Sequence, residues 1–249
     1  MSNRSKQTKP VTTRKVVTSA KNQRVDLRHV GKDAADQTAA ANQAVSKLVK
    51  QIDDHPEDYH LNYELATVLL DMQDVEQAEE LLIKSRGLFS DDDEAVNLLT
   101  YGLGNVYYQA AAYDKAAAEF AKVTDKKLQL DAYQMLAQTY TQQNNYQKAF
   151  AFALTVHDAN KQDPTANALL GDILMAMGNF NQAADFYDQS LEADSKNGKV
   201  NFNRGLTAMV LGQDESAFMK AAQQNDPEYV KRSQEKVNDI ATLIKKQQQ

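Results

Sequence analysis

The chain has 249 residues, 42% of them hydrophobic, with no cysteine and no tryptophan. That length and composition bury a sizeable core, while the lack of cysteine excludes a disulfide frame, a thiolate metal site and a cysteine nucleophile. The net charge of −6 conceals an asymmetry: residues 1–32 hold nine Lys or Arg and one acid, a balance of +8, which leaves −14 on the remaining residues.

No stretch approaches the ~18 consecutive apolar residues of a membrane span, and the N-terminus shows no apolar signal core, so a cytoplasmic location is expected. Residues 1–32 lack helical or strand periodicity and carry few large apolar side chains. Burial there cannot offset the entropy of ordering, so a disordered basic tail is expected. Asp33 reads as an N-cap for a helix reaching Ile52, with Ala41, Val45, Leu48, Val49 and Ile52 as its apolar stripe. Ala44 stands twelve residues before Pro56, so residues 33–56 read as an N-terminal half repeat that caps the helices downstream of it.

From Tyr59 to Pro227 the chain repeats itself. Leu103–Phe120 reads as helix, tight turn and second helix, with Leu103, Gly104, Tyr107 and Tyr108 on one face and Tyr113, Ala116 and Phe120 on the next. Echoes occur at Leu65–Leu82, Leu136–Ala153, Leu170–Tyr187 and, more loosely, Arg204–Ala221. The alanines Ala78, Ala116, Ala149, Ala183 and Ala217 recur with periods of 38, 33, 34 and 34. A small column (Ala66, Gly104, Ala137, Gly171, Gly205) lets paired helices approach closely, and bulky columns such as Leu65, Leu103, Leu136 and Leu170 fill the space between.

The extra residues after the first copy include Ser90–Glu94, about one helical turn, which keeps the next core face in phase. Asp91 with Glu94 has the form of a capping box. The segment lacks the alternating ligands and central glycine of a calcium loop. After Pro227, residues 228–249 read as a capping helix, with Tyr229, Val230, Val237, Ile240, Ala241 and Ile244 on one face.

A helix-turn-helix period near 34 with these columns resembles the tetratricopeptide repeat, whose pattern is Trp-x2-Leu-Gly-x2-Tyr, then Ala-x3-Phe, then Pro. The resemblance implies an all-α fold: a right-handed alpha-alpha superhelix of five repeats (59–92, 93–128, 129–162, 163–197, 198–227), capped at both ends. The tryptophan positions hold Asn62, Thr100, Tyr133, Asn167 and Asn201 instead, and the fifth copy has Arg204 for leucine and Asp214 for the aromatic.

Phosphate-loop, dinucleotide and His-Glu-x-x-His motifs are absent. His55 and His60, five residues apart across Pro56, do not share a face as metal ligands would. No catalytic residue, metal or cofactor is therefore expected. Family members hold peptides along the first helices of each repeat. Carried over, that frame implies a groove of Tyr63, Thr67, Leu70, Tyr101, Asn105, Tyr108, Gln134, Gln138, Asp172, Met175, Phe202, Leu206 and Met209 for a protein or peptide partner.

The family's chaperone-tail clamp is not expected, since its positions hold Tyr63, Thr67, Gly102, Asp131 and Met135, which cannot grip a carboxylate. The alternative reading is an adapter whose basic tail touches RNA, the ribosome or an anionic membrane surface through weak, salt-sensitive contacts. A tail that only solvates, or folds back on the acidic body, is equally open.

Overall fold

The computed structural model describes residues 27–235, 237, 238 and 242. The chain divides into two units, Met1–Ala40 and Ala41–Gln249. Of the first, the described part is the opening of α1 (Leu27–Asp54). The helix thus begins six residues before Asp33, which lies inside it and does not cap it. Most of the basic tail, and with it the expected disorder and surface contact, lies outside the described residues.

In the second unit, α2 (Tyr59–Asp71), α3 (Val75–Leu88), α4 (Asp93–Gln109), α5 (Tyr113–Phe120), α6 (Gln129–Gln142), α7 (Tyr146–Ala159), α8 (Pro164–Ala176), α9 (Phe180–Ala193), α10 (Gly198–Leu211) and α11 (Ser216–Asn225) come in succession, then the short α12 (Pro227–Arg232). No strand occurs among the described residues. Each even-numbered helix packs on the odd-numbered helix after it, and α3, α5, α7 and α9 pack in turn on the next pair. Even-numbered helices also meet directly, α2 with α4, α6 with α8 and α8 with α10, forming an inner layer.

Five turns close the pairs by one device. Gln73, Ala111, Asn144, Gly178 and Gly212 all have positive φ, between 56° and 79°. The amide after each reaches back to the carbonyl five residues earlier at 2.8 to 2.9 Å (Asp74 to Leu69, Ala112 to Tyr107, Asn145 to Tyr140, Asn179 to Leu174, Gln213 to Ala208). This is the Schellman closure, which satisfies carbonyls the helix end leaves open.

Between the paired helices the small column works as its spacing implies. Ala78, Ala116, Ala149 and Ala183 are fully buried. A Cβ on Gly171 would fall 2.5 Å from Tyr187 Cε1, and one on Gly205 3.0 Å from Met219 Cε. The fifth pair departs from the frame. Asp214 accepts from the Ser216 amide at 2.9 Å, so α11 starts two residues later than its counterparts. Ala217 is consequently exposed, and Ala222 takes the fully buried place.

The asparagines at the tryptophan positions serve as polar pins. Asn167 Nδ2 donates to the Lys161 carbonyl at 3.1 Å, Asn201 Nδ2 to those of Ser195 and Asn197 at 3.0 and 2.9 Å, and Asn62 Nδ2 to that of Asp58 at 3.5 Å. All three are buried and tie the preceding loop to the helix.

Leu48 joins the core of Leu65, Leu69, Leu82 and Leu103, with Val45 and Ile52 packed alongside. Val49, placed on the same stripe by spacing, is 44% exposed. At the other end, α12 stops at Arg232, where the Ser233 amide bonds back to Tyr229 and Val230. Tyr229, Val230 and Val237 lie on the cluster of Phe202, Leu206 and Ala222. Ile240, Ala241 and Ile244 fall outside the described residues.

Candidate peptide-binding groove

The inner layer presents the faces of α4, α6, α8 and α10 to a recess of about 360 Å³, lined by Tyr108, Gln138, Thr141, Gln142, Thr165, Ala168, Leu169, Asp172, Asn197, Lys199 and Val200. Three residues expected from the sequence, Tyr108, Gln138 and Asp172, meet there. Asp172 anchors the far wall. Its Oδ1 accepts from the Tyr187 hydroxyl and from Asn203 Nδ2, each at 2.8 Å, and its Oδ2 from Lys199 Nζ at 2.8 Å.

Burial pushes the Tyr187 hydroxyl well above its ordinary range, and the Asp172 charge adds to the effect. For Lys199 burial acts downward, but the charge and hydrogen bond of Asp172 outweigh it and raise the ammonium. Across the recess the Tyr108 ring stands edge-on to Tyr113 at 5.7 Å. Burial, then Tyr113, raises its phenol.

A second stretch of the inner face lies on α2, α4 and the first turn of α6. Tyr63 and Tyr101 are half-buried there, with Asn105 one turn beyond Tyr101. The Tyr101 ring leans on Phe120 at 5.6 Å. Burial, then Tyr63 and Asp131, pushes its phenol up to about 12. Tyr63 is raised by burial too, while the Asn105 side chain acts the other way on both phenols. Thr67 is exposed, its hydroxyl donating to the Tyr63 carbonyl at 3.0 Å. Gln134 is half-buried.

Five expected groove residues belong to the core or lean on it. Phe202 is 1% exposed and Leu206 is fully buried, both in the cluster covered by Tyr229 and Val230. The Phe202 ring meets Tyr229 edge-on at 5.5 Å. The segment after Pro227 covers the face of α10 that the frame leaves open, and neither side chain reaches a partner. Leu70 is 7% exposed and packs with Leu65, Leu69 and Leu103. Met209 rests on the Phe202 cluster, while Met175 bridges it to the cluster of Leu174 and Tyr187.

The frame also missed residues that line the recess. Thr141 lies 33 residues after Tyr108 and 34 before Met175, in the column that already held both, so continuing the column finds it. Lys199 carried no signal beyond its place in the first turn of α10.

Residues 63–129 and residues 140–201 each match the tetratricopeptide repeat family, together more than half of the chain. The chain belongs to the tetratricopeptide repeat family. Its stack of helix pairs is the right-handed alpha-alpha solenoid of that family, and membership supports a protein-interaction scaffold.

Among solved structures this tetratricopeptide chain is similar to YrrB, described as a TPR protein with an unusual peptide-binding site, at 20% identity and a TM-score of 0.54 over 80% of this chain and 97% of that one. It is similar to Pseudomonas aeruginosa pilF at 15% identity and a TM-score of 0.64, over 81% and 91% of the two chains. MamA AMB-1 matches at 21% identity and a TM-score of 0.52, over 68% and 92%. At these identities the likeness shows the fold. No curated protein matches the chain. No described helix is long and apolar enough to cross a membrane.

Proposed function

We propose that this tetratricopeptide protein is a non-catalytic scaffold that captures an extended segment of a partner protein along its inner layer. The recess between α4 and α10 carries the reading. Its two charges, Asp172 and Lys199, neutralise each other at 2.8 Å, and what remains for a ligand is the Tyr108 ring with Gln138, Thr141 and Gln142. Amide and hydroxyl groups at that spacing bond a peptide backbone, and the aromatic edge buries a side chain. The peptide-binding site described for YrrB is a precedent in the same fold.

The test places a photo-crosslinking phenylalanine at Gln138 in the recess and at Ile83, an outer-helix residue that is 46% exposed. Crosslinks to one partner segment from Gln138 and not from Ile83, lost when Tyr101 and Tyr108 are both alanine and helicity is kept, support the groove. Equal crosslinking from both positions overturns it.

A further inference from the structure

The Asp172–Lys199 pair cancels its own charge but not its own hydrogen-bonding capacity. Oδ1 of Asp172 is filled by two donors, the Tyr187 hydroxyl and Asn203 Nδ2, each at 2.8 Å. Oδ2 accepts from Lys199 Nζ alone among the described residues, also at 2.8 Å, and a carboxylate oxygen takes two donors. An ammonium carries three N–H groups, and Asp172 receives one of those of Lys199. An acceptor position and a donor are therefore open side by side. Both side chains line the recess with Tyr108 and Gln138, and at 24% and 51% exposed they are within reach of a ligand. The acceptor is also held in place, since Tyr187 is fully buried and Asn203 is 5% exposed.

The donor and acceptor inventory narrows what fits such a pair. A carboxylate only accepts and would face Asp172, while an ammonium or guanidinium only donates and would face Lys199. A trans peptide group points its N–H and C=O in opposite directions, so the backbone serves one atom of the pair and not both. A hydroxyl has both functions on one atom, and serving two atoms 2.8 Å apart bends one of its bonds. A primary carboxamide presents an N–H and a C=O on one edge and carries no charge, as a neutralised pair requires.

We infer that Asp172 and Lys199 read the carboxamide of a glutamine or asparagine in the captured segment, Asp172 Oδ2 accepting from its NH2 group and Lys199 Nζ donating to its carbonyl. This deepens the groove reading and rests on it. The amides and hydroxyls of Gln138, Thr141 and Gln142 meet the backbone, and the pair selects the side chain.

The test titrates the full-length protein with acetyl-Gly-Gln-Gly-N-methylamide and its counterparts with glutamate, asparagine, aspartate, lysine, leucine or serine at the centre, while backbone amide resonances are tracked. The N-methylamide end keeps a second primary carboxamide out of the peptide. The tighter of the glutamine and asparagine peptides shifts the amides of Asp172 and Lys199 and binds about tenfold more tightly than its acid, lysine, leucine or serine counterpart, each of which leaves a charged group unpaired or poorly paired. Added salt leaves that binding unchanged, because the ligand is neutral. Lys199→Met, with unchanged circular dichroism, opens Asp172 and turns the preference to the lysine peptide. Equal or tighter binding by any counterpart in the unaltered protein overturns the subsite. So do a carboxamide preference that survives Lys199→Met, shifts confined to other residues, and no shift with any peptide. The Gln138 crosslink decides the groove separately: if it holds while the carboxamide preference fails, only the subsite falls.

Discussion

Arg204 grips Asp188 with two parallel bonds, Nε to Oδ1 at 2.8 Å and Nη2 to Oδ2 at 3.1 Å. Its guanidinium carbon also lies 4.6 Å from the Phe218 ring centroid. The other four repeats have leucine at this position, yet Arg204 is 8% exposed because the pair and the ring satisfy it where leucine would pack. The Asp188 side chain is 46% exposed and regains water when its partner is removed. Arg204→Ala should therefore cost about 2 kcal/mol, less than a fully buried pair, and Arg204→Leu under about 1 kcal/mol. Urea unfolding monitored by far-ultraviolet circular dichroism measures both.

Gly171→Ala should destabilise by about 1 to 3 kcal/mol, because the new methyl meets the fully buried Tyr187 ring and the better helix propensity of alanine recovers only part of that. Gly87→Ala is the control. Its Cβ meets nothing within 4 Å, so it should stabilise. Thermal melts of the two variants should move in opposite directions.

At the α4–α5 turn Ala111 holds φ 56° where other repeats use glycine, asparagine or glutamine. A left-handed alanine costs about 1 to 2 kcal/mol, of which glycine's unfolded-chain entropy returns a part. Ala111→Gly should stabilise by about 1 kcal/mol, seen as a higher denaturation midpoint with an unchanged slope.

Alkali should unfold the protein through its tyrosines. Burial, first of the causes, pushes both Tyr101 and Tyr107 up to about 12, and for Tyr107 the hydrogen bond to Glu79 at 2.7 Å contributes as well. The same phenols in the unfolded chain ionise near pH 10, so between pH 10 and 12 the unfolded state holds fewer protons and stability falls as pH rises. Absorbance at 295 nm should report these phenols titrating together with loss of helicity. Tyr101→Phe and Tyr107→Phe should each flatten that slope.

The stack was legible because its determinants are local and repeated. Ala78, Ala116, Ala149 and Ala183 recur at fixed spacing, and each lands at a helix crossing where only a small side chain fits. The fifth alanine was not, because Asp214 draws in the Ser216 amide and delays α11, a turn effect that a column of hydrophobic residues does not register. Phe202 and Leu206 hold groove positions by spacing, and nothing within their own repeat shows that Tyr229 and Val230 cover them. The polar wall of the recess was half legible: Asp172 held a groove position in the family frame, whereas its neutralisation by Lys199, 27 residues away, appears only when α8 and α10 are side by side.

The five identical turn closures bear on how the molecule is made. Each spans five residues and needs no contact from a neighbouring pair, so every hairpin can begin to form from its own sequence alone, and chains built from such short-range contacts reach the native state quickly. A ribosome releasing this chain from its N-terminus exposes one unit at a time, each ready to settle on its predecessor. Synthesis and assembly thus run in the same direction, with α10 the last inner helix to find its cover.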